Sequence, residues 1–393
     1  MSKAKAEIQI EPAEARYAAE LAFLAAYDRG PRPPGWALTL RAAVTFVVGS
    51  EGEELQLPKK TRAPKGAGRA RVISAKFVGD KGLVERSVVT LAGERGLLLV
   101  GEPGTAKSML SELLAAAISG TSALTVQGTA GTTEDQLRYG WNYSLLIAKG
   151  PHLEALVPSP ILSALRQGKL ARVEEVTRCL PEVQDALVSI LSERRMAVAE
   201  LPAPKGEGTH TEFARVGFNV IATANLRDRG VSEMSSALKR RFNFEVVHPI
   251  PDLAQETALV QRQAEQALAR VGQPLSVDEA VLTGLVTAFR DLRAGSSQEG
   301  WAVERPSAVM STAEAVGVAT SLGISTAFLD AGDPVELLPG YLLGVVQKDD
   351  PRDLARLVAY WDSVVKRRAA AEEGIWARLH ALRGLLDEAG SEA

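Results

Sequence analysis

The sequence is poor in cysteine, histidine and aromatics: among 393 residues Cys179 is the only cysteine, four are histidine, and aromatics make up 5%. A lone cysteine excludes an intramolecular disulfide and a cysteine-based zinc site within one chain, which suits a reducing cytoplasm. Neither charge sign dominates. Lys and Arg number 45 against 48 Asp and Glu, a formal net charge of -3, so no global positive field advertises a nucleic acid as the partner. No apolar run reaches the length that spans a bilayer. The opening residues, MSKAKAEIQIEPAEARY, mix acids and bases and hold neither an apolar stretch nor a small-residue cleavage site. No signal peptide is therefore expected, and the expected location is cytoplasmic.

What is present is enough apolar residue, 46% hydrophobic, for a sizeable core and more than one domain. Residues 1–72 read as an accessory N-terminal segment. Ala13 to Tyr27 and Leu38 to Phe46 form two short helices around the breaker at Pro31 to Gly35, and LPKKTRAPKGAGRAR from Leu57 to Arg71 follows as a mobile basic linker or surface loop. From residue 73 to 251, short apolar runs alternate with amphipathic segments: Gly96 to Val100, Leu124 to Gln127, Lys169 to Val173 and Phe218 to Thr223. Such runs suit buried parallel strands between helices, an α/β core. Beyond Pro251 strands disappear. Residues 252–330 read as a helical lid (Leu253 to Arg270, Val277 to Leu292, Ser307 to Leu322), and 331–393 as a helical C-terminal extension with a helical stretch from Arg352 to Leu386.

Four motifs inside the core carry chemistry. The run Leu97 to Val100 leads directly into Gly101-Glu102-Pro103-Gly104-Thr105-Ala106-Lys107-Ser108 and a helix from Met109, the strand, loop and helix order of a phosphate-binding loop. Gly101 and Gly104 permit backbone conformations that turn N–H groups onto phosphates, Lys107 suits the β and γ phosphates of ATP, and Ser108 suits Mg²⁺. Ala106 stands where glycine usually precedes the lysine. Second, the β-like run before Glu174-Glu175 ends in two carboxylates, the first placed to hold Mg²⁺ through its water shell and the second to polarise an attacking water. Glu174 is one methylene longer than the usual aspartate, a reach error on the order of 1 Å, and such a misplacement costs roughly a hundredfold in rate. Third, Phe218 to Ala224 runs into Asn225, suited to orienting that water. An isolated asparagine at a strand end is ordinarily a turn residue; its order after the other motifs makes it a candidate. Fourth, Ser236-Ala237-Leu238-Lys239-Arg240-Arg241-Phe242 ends a short helix with two arginines. Arg241, or failing it Arg240, is the candidate to act in trans on a neighbouring subunit's site, a role worth roughly 10³ to 10⁵ in rate. Complementing the helix dipole is the alternative use for either.

In this order GEPGTAKS, the acidic pair before Thr177-Arg178, ATANLRDRG and ALKRRF resemble the MoxR branch of AAA+ ATPases across about Lys76 to Leu322. EEVTRCLPEVQDALVSILSERRMAV is similar to a segment specific to that branch, matching at Glu175, Arg178, Gln184, Leu187 and Glu193. The resemblance implies ATP and Mg²⁺ as cofactors, a hexameric ring, and an insertion within Gln127 to Pro151. It further implies a hairpin from Met196 to Arg215 before the sensor strand, and remodelling of a partner protein, often alongside a von Willebrand factor A domain protein. It also implies a lid arginine near the nucleotide, for which Glu304-Arg305-Pro306-Ser307 offers Arg305 with the motif order altered. Tyr139, Trp141, Asn142 and Tyr143 cluster where related rings grip clients, although ordinary packing is the favoured explanation of aromatics. Two other readings stay open: a nucleotide-gated assembly scaffold with little hydrolysis, suggested by Ala106 and Glu174, and a nucleic-acid motor, suggested only by the basic stretch at 59–71.

Overall fold

The computed structural model describes residues 9–203, 208–225, 232–274, 277–329, 332–348, 350–371 and 373–391. The chain divides into two compact units, one holding the residues up to Gly101 and Ala106–Val247, the other Glu102–Thr105 with His248 onward.

The first unit opens with α1 (Ala13–Arg16), α2 (Ala18–Tyr27), α3 (Leu40–Val48) and the antiparallel pair β1 (Glu54–Gln56) and β2 (Ala70–Val72). It continues through α4 (Lys81–Ala92), β3 (Gly96–Val100), α5 (Lys107–Ser119), β4 (Thr125–Gln127), α6 (Glu134–Leu137) and β5 (Tyr139–Trp141). Then come α7 (Tyr143–Lys149), β6 (Leu156–Pro158), α8 (Pro160–Gln167), β7 (Leu170–Glu174) and α9 (Pro181–Glu193). β8 (Arg195–Pro202), β9 (Thr209–Phe213), β10 (Asn219–Ala224), α10 (Ser236–Lys239) and β11 (Phe242–Val246) complete it.

Five of these strands form one parallel sheet in the order β11-β3-β10-β7-β4. Every residue of β3, β7 and β10 is buried, so these strands read as continuous apolar runs rather than as an alternation. The expected α/β core is present, and β11 joins the four strands legible as apolar runs. Ala222 of β10 lies opposite both Leu98 of β3 and Val173 of β7. The C-terminal ends of the three central strands therefore lie close together, at the edge where open α/β sheets place their ligands.

The N-terminal helices are part of this core. Phe23, Leu24, Phe46 and Val47 join Leu97, Leu99 and Leu114 in one apolar cluster, the Ala13 N–H donates to Glu112 Oε1 at 2.9 Å, and the Ser122 hydroxyl donates to Glu14 Oε2 at 2.8 Å. The basic stretch between β1 and β2 is an anchored surface loop: Leu57, Thr61 and Ala67 are buried, and Arg69 Nη1 donates to the Thr61 carbonyl at 2.9 Å.

Two antiparallel hairpins leave the sheet. β5 pairs with β6 and β8 with β9, so the insertion expected to end by Pro151 runs on to Pro158; residues 204–207 of the second hairpin lie outside the described residues. The hairpins are tied to each other. The Tyr139 hydroxyl donates to Glu200 Oε2 at 2.9 Å, the Ala199 N–H donates to the Tyr139 oxygen at 3.3 Å, and Arg138 Nη2 donates to the Ala197 carbonyl at 2.8 Å. The aromatics of the insertion divide accordingly. Tyr139 packs edge-to-face on Trp141, whereas Tyr143 and Ile147, one helical turn apart on α7, are 69% and 86% exposed.

The second unit is helical: α11 (Leu253–Ala269), α12 (Glu279–Ala294), α13 (Thr312–Phe328), α14 (Pro334–Val346), α15 (Asp353–Tyr360), α16 (Lys366–Ala371), α17 (Ile375–Ala381) and α18 (Gly384–Ser391). One apolar cluster containing Phe289, Leu322, Leu342 and Trp361 joins the parts that the sequence suggests as lid and extension. The expected stretch from Arg352 to Leu386 is interrupted by a π-helical turn at Trp361–Val365 and by a break before α17. At the π turn the Tyr360 hydroxyl donates to Asp291 Oδ2 and Trp361 Nε1 to the Leu379 carbonyl, both at 2.9 Å. α13 begins at Thr312 rather than near Ser307 because Ser311 and Glu314 close a capping box there. Among the described residues no helix is long and apolar enough to cross a membrane.

Candidate phosphate-binding site

The loop after β3 turns tightly. Thr105 Oγ1 donates to the Glu102 carbonyl at 2.9 Å, Gly104 has φ +75°, and Ala106 sits in the left-handed region at φ 65°, ψ 23°. A Cβ in that region costs roughly 1–2 kcal/mol, the physical reason glycine suits this position and Ala106 strains it. No side chain caps the N-terminus of α5, and the start of a helix is where an anion is favoured. Lys107 is buried and donates from Nζ to the Gly101 carbonyl at 3.0 Å. Met109, from which the sequence suggests a helix, lies in the first turn of α5 and is half-buried against the core.

Glu174, at the end of β7, is 4% exposed and its carboxylate is held on both oxygens. Oε2 accepts from the Ser108 hydroxyl at 2.7 Å and the Thr223 hydroxyl at 2.8 Å. Oε1 accepts from the Ser111 hydroxyl and from Arg172 Nη2, the latter at 2.8 Å. The additional methylene of glutamate leaves the carboxylate within direct hydrogen-bonding reach of Ser108. Glu175 follows in the left-handed region at φ 51°, ψ 47°; its N–H donates to Thr223 Oγ1 at 2.9 Å, and its carboxylate pairs with Arg178, one turn ahead. Gly128 passes so close that a Cβ there would collide with the carbonyl oxygens of Glu174 and Glu175, and its N–H donates to the Glu174 carbonyl at 2.7 Å.

Asn225 is buried directly after β10, two residues beyond Thr223. Residues 226–230 of the ATANLRDRG motif lie outside the described residues. The sheet thus gathers Lys107, Ser108, Glu174, Glu175 and Asn225 at one edge. The two arginines after α10 make no described bond to this cluster. Arg241 donates from Nη1 to the Ala237 carbonyl at 2.6 Å and from Nε to Ser192; Arg240 is exposed. Arg305, in the helical unit, is exposed and donates to the Ala294 carbonyl. Cys179 is buried, and burial pushes its thiol up, so it packs rather than reacts.

Reading motifs in isolation misses Ser111, Arg172 and Thr223. Each was within reach of simple periodicity: Ser111 lies three residues beyond Ser108 on one helix face, and Arg172 and Thr223 lie two residues before Glu174 and Asn225 on the same faces of their strands. A charged Arg172 inside an otherwise apolar strand run is itself a signal.

The family model described as AAA domain (dynein-related subfamily) matches residues 96–242, and that described as YehL-like AAA+ ATPase C-terminal domain matches residues 254–387. The chain is 49% identical over 378 residues to the uncharacterized protein YehL of Escherichia coli (strain K12), covering 96% of this chain and 97% of that one. It is 26% identical over 236 residues to the chaperone MoxR1 of Mycobacterium tuberculosis (strain ATCC 25618 / H37Rv), covering 53% of this chain and 52% of that protein. Among solved structures, NtrX from Brucella abortus in complex with ATP is similar at 13% identity and a TM-score of 0.46, over 80% of this chain and 70% of that one.

Proposed function

The chain belongs to the MoxR-type AAA+ ATPases, on their YehL-like branch, and from that premise we propose that it hydrolyses MgATP at the subunit interfaces of a hexameric ring to remodel a partner protein. The observation that carries this reading is the hydrogen bond from Ser108 to Glu174 at 2.7 Å, set beside the uncapped start of α5 at the C-terminal edge of a parallel sheet. A hydroxyl and a carboxylate are the hard oxygen donors that Mg²⁺ takes when nucleotide phosphates complete its shell. The residues present therefore fit the group.

Held by Ser108 and Glu174, Mg²⁺ would supply positive charge that offsets the charge of the nucleotide phosphates. The backbone N–H groups of the loop and of the first turn of α5 cradle the phosphates, and Lys107 adds a point charge. Glu175 accepts a proton from, or polarises, the attacking water, and Asn225 orients it. An arginine from the neighbouring subunit, Arg240 or Arg241, stabilises the charge that develops in the transition state. Arg305 is the lid's candidate for a further phosphate contact. For the client, the exposed Tyr143 and Ile147 on α7 offer an apolar grip on an insertion braced by Glu200 and Ala197. A von Willebrand factor A domain protein remains the partner class that the family suggests, and the cytoplasm the compartment.

The test is affinity capture with a Glu175→Gln chain loaded with ATP, repeated with Ile147→Asp in the same background. The reading expects a protein client that is retained by the first and lost with the second; recovery of nucleic acid in place of protein would count against it. The pairing of Glu175 with Arg178 favours a second reading, a nucleotide-gated scaffold with little turnover, because the carboxylate that should polarise water is engaged by a cation.

A further inference from the structure

Arg172 is an expensive residue to place on β7. It is 9% exposed, and a guanidinium is kept at such a position only when its charge is paired and its donors are satisfied. Both conditions hold. Nε donates to the Ser111 hydroxyl at 3.0 Å; Nη1 to the Ser122 carbonyl at 3.1 Å and the Thr125 hydroxyl at 3.2 Å; Nη2 to the Ser108 carbonyl at 3.1 Å and Glu174 Oε1 at 2.8 Å. All five guanidinium N–H groups are used, a geometry that the single ammonium of lysine does not reproduce.

On the other side of the pair, Glu174 accepts two donors on each oxygen. The division between the oxygens is what matters. Arg172 and Ser111 fix Oε1, and that leaves Oε2 aimed at Ser108, the residue at the start of α5 that would ligate Mg²⁺. Compared with aspartate, glutamate has one more rotatable bond, so without an anchor at Oε1 its carboxylate samples positions away from Ser108.

We propose that Arg172 is a positioning residue that lets glutamate serve where the metal site calls for the shorter aspartate, by holding one carboxylate oxygen so that the other meets Ser108 and the Mg²⁺ shell. This rests on the MgATP reading given above and names the residue that makes it workable in this chain. Residues that orient a metal's carboxylate typically change metal affinity by about 10- to 100-fold when removed.

The experiment titrates Mg²⁺ into the full chain with saturating fluorescent ADP, and compares nucleotide affinity in EDTA. Wild type, Arg172→Met, Arg172→Lys and Glu174→Asp are measured, with Arg172→Met/Glu174→Asp closing the cycle. Expected is an Mg²⁺ half-point raised by about 10- to 100-fold in Arg172→Met, with affinity in EDTA unchanged. In the double variant the Arg172→Met substitution should cost little, because aspartate needs no rear anchor; the two effects are then non-additive. Should Arg172→Met fail to fold, Arg172→Lys carries the same comparison. An unchanged Mg²⁺ half-point in the Arg172 variants, or additive losses with aspartate, overturns the proposal and leaves Arg172 a packing residue. Absence of nucleotide binding by the wild type would instead sink the MgATP reading itself.

Discussion

The Ser108 hydroxyl donates to Glu174 Oε2 at 2.7 Å, joining the first turn of α5 to the end of β7. That single bond turns two motifs separated by 66 positions into one site. It also answers the question raised by glutamate at an aspartate position, since the longer side chain still reaches Ser108 and is held there from behind by Arg172 and Ser111.

Ala106 offers a test of strain in the loop. Replacement by glycine removes a left-handed Cβ cost of roughly 1–2 kcal/mol, against about 0.4–1 kcal/mol lost through the freer unfolded chain. Ala106→Gly should therefore stabilise the chain by up to about 1.6 kcal/mol and leave ADP affinity undiminished. Thermal melting with and without ADP measures both, and a lowered melting point contradicts the strain argument.

The trans arginine can be found by mixing. Arg241 is braced within its own chain by Ala237 and Ser192, whereas Arg240 is exposed. Arg240→Ala and Glu175→Gln chains, each inactive alone, should recover part of the wild-type turnover when mixed, because some interfaces then combine an intact Glu175 with an intact Arg240. Recovery with Arg241→Ala instead would reverse the assignment.

A pH dependence is expected in the helical unit. Hydrogen bonding to Arg368 holds Glu299 down at about 2, whereas burial pushes the neighbouring Asp291 up. A depressed carboxyl contributes stability that is fully present above its ordinary value of 4.5 and is lost as pH falls toward 2; Asp291 acts with the opposite sign. Glu299→Gln should thus be less stable than wild type at pH 7, with the gap narrowing below about 4.5. Urea unfolding followed by tryptophan fluorescence would show it, and a gap constant with pH would assign the loss to packing.

Much of the core was legible because buried parallel strands write themselves as apolar runs, as at Leu97 to Val100, and because Lys107-Ser108 sits at a strand-to-helix turn. The clamp around Glu174 was legible only in part: periodicity puts Ser111, Arg172 and Thr223 on the faces of the motif residues, but their convergence on one carboxylate follows only from the packing of three elements. The packing of Phe23 and Phe46 into the sheet's core was hidden for the same reason: an amphipathic helix reveals that it has an apolar face but not what that face covers. In the C-terminal helices, composition favoured continuous helix through Trp361. The π turn there is fixed by tertiary partners, Asp291 and the Leu379 carbonyl, that local propensity does not see.

The central claim is tested most directly by steady-state ATP hydrolysis as a function of protein concentration, for wild type, Lys107→Ala and Glu175→Gln. The account predicts turnover per chain that rises with assembly and is lost in both variants. A wild type that binds ATP and assembles yet shows no turnover would contradict it and leave the scaffold reading standing.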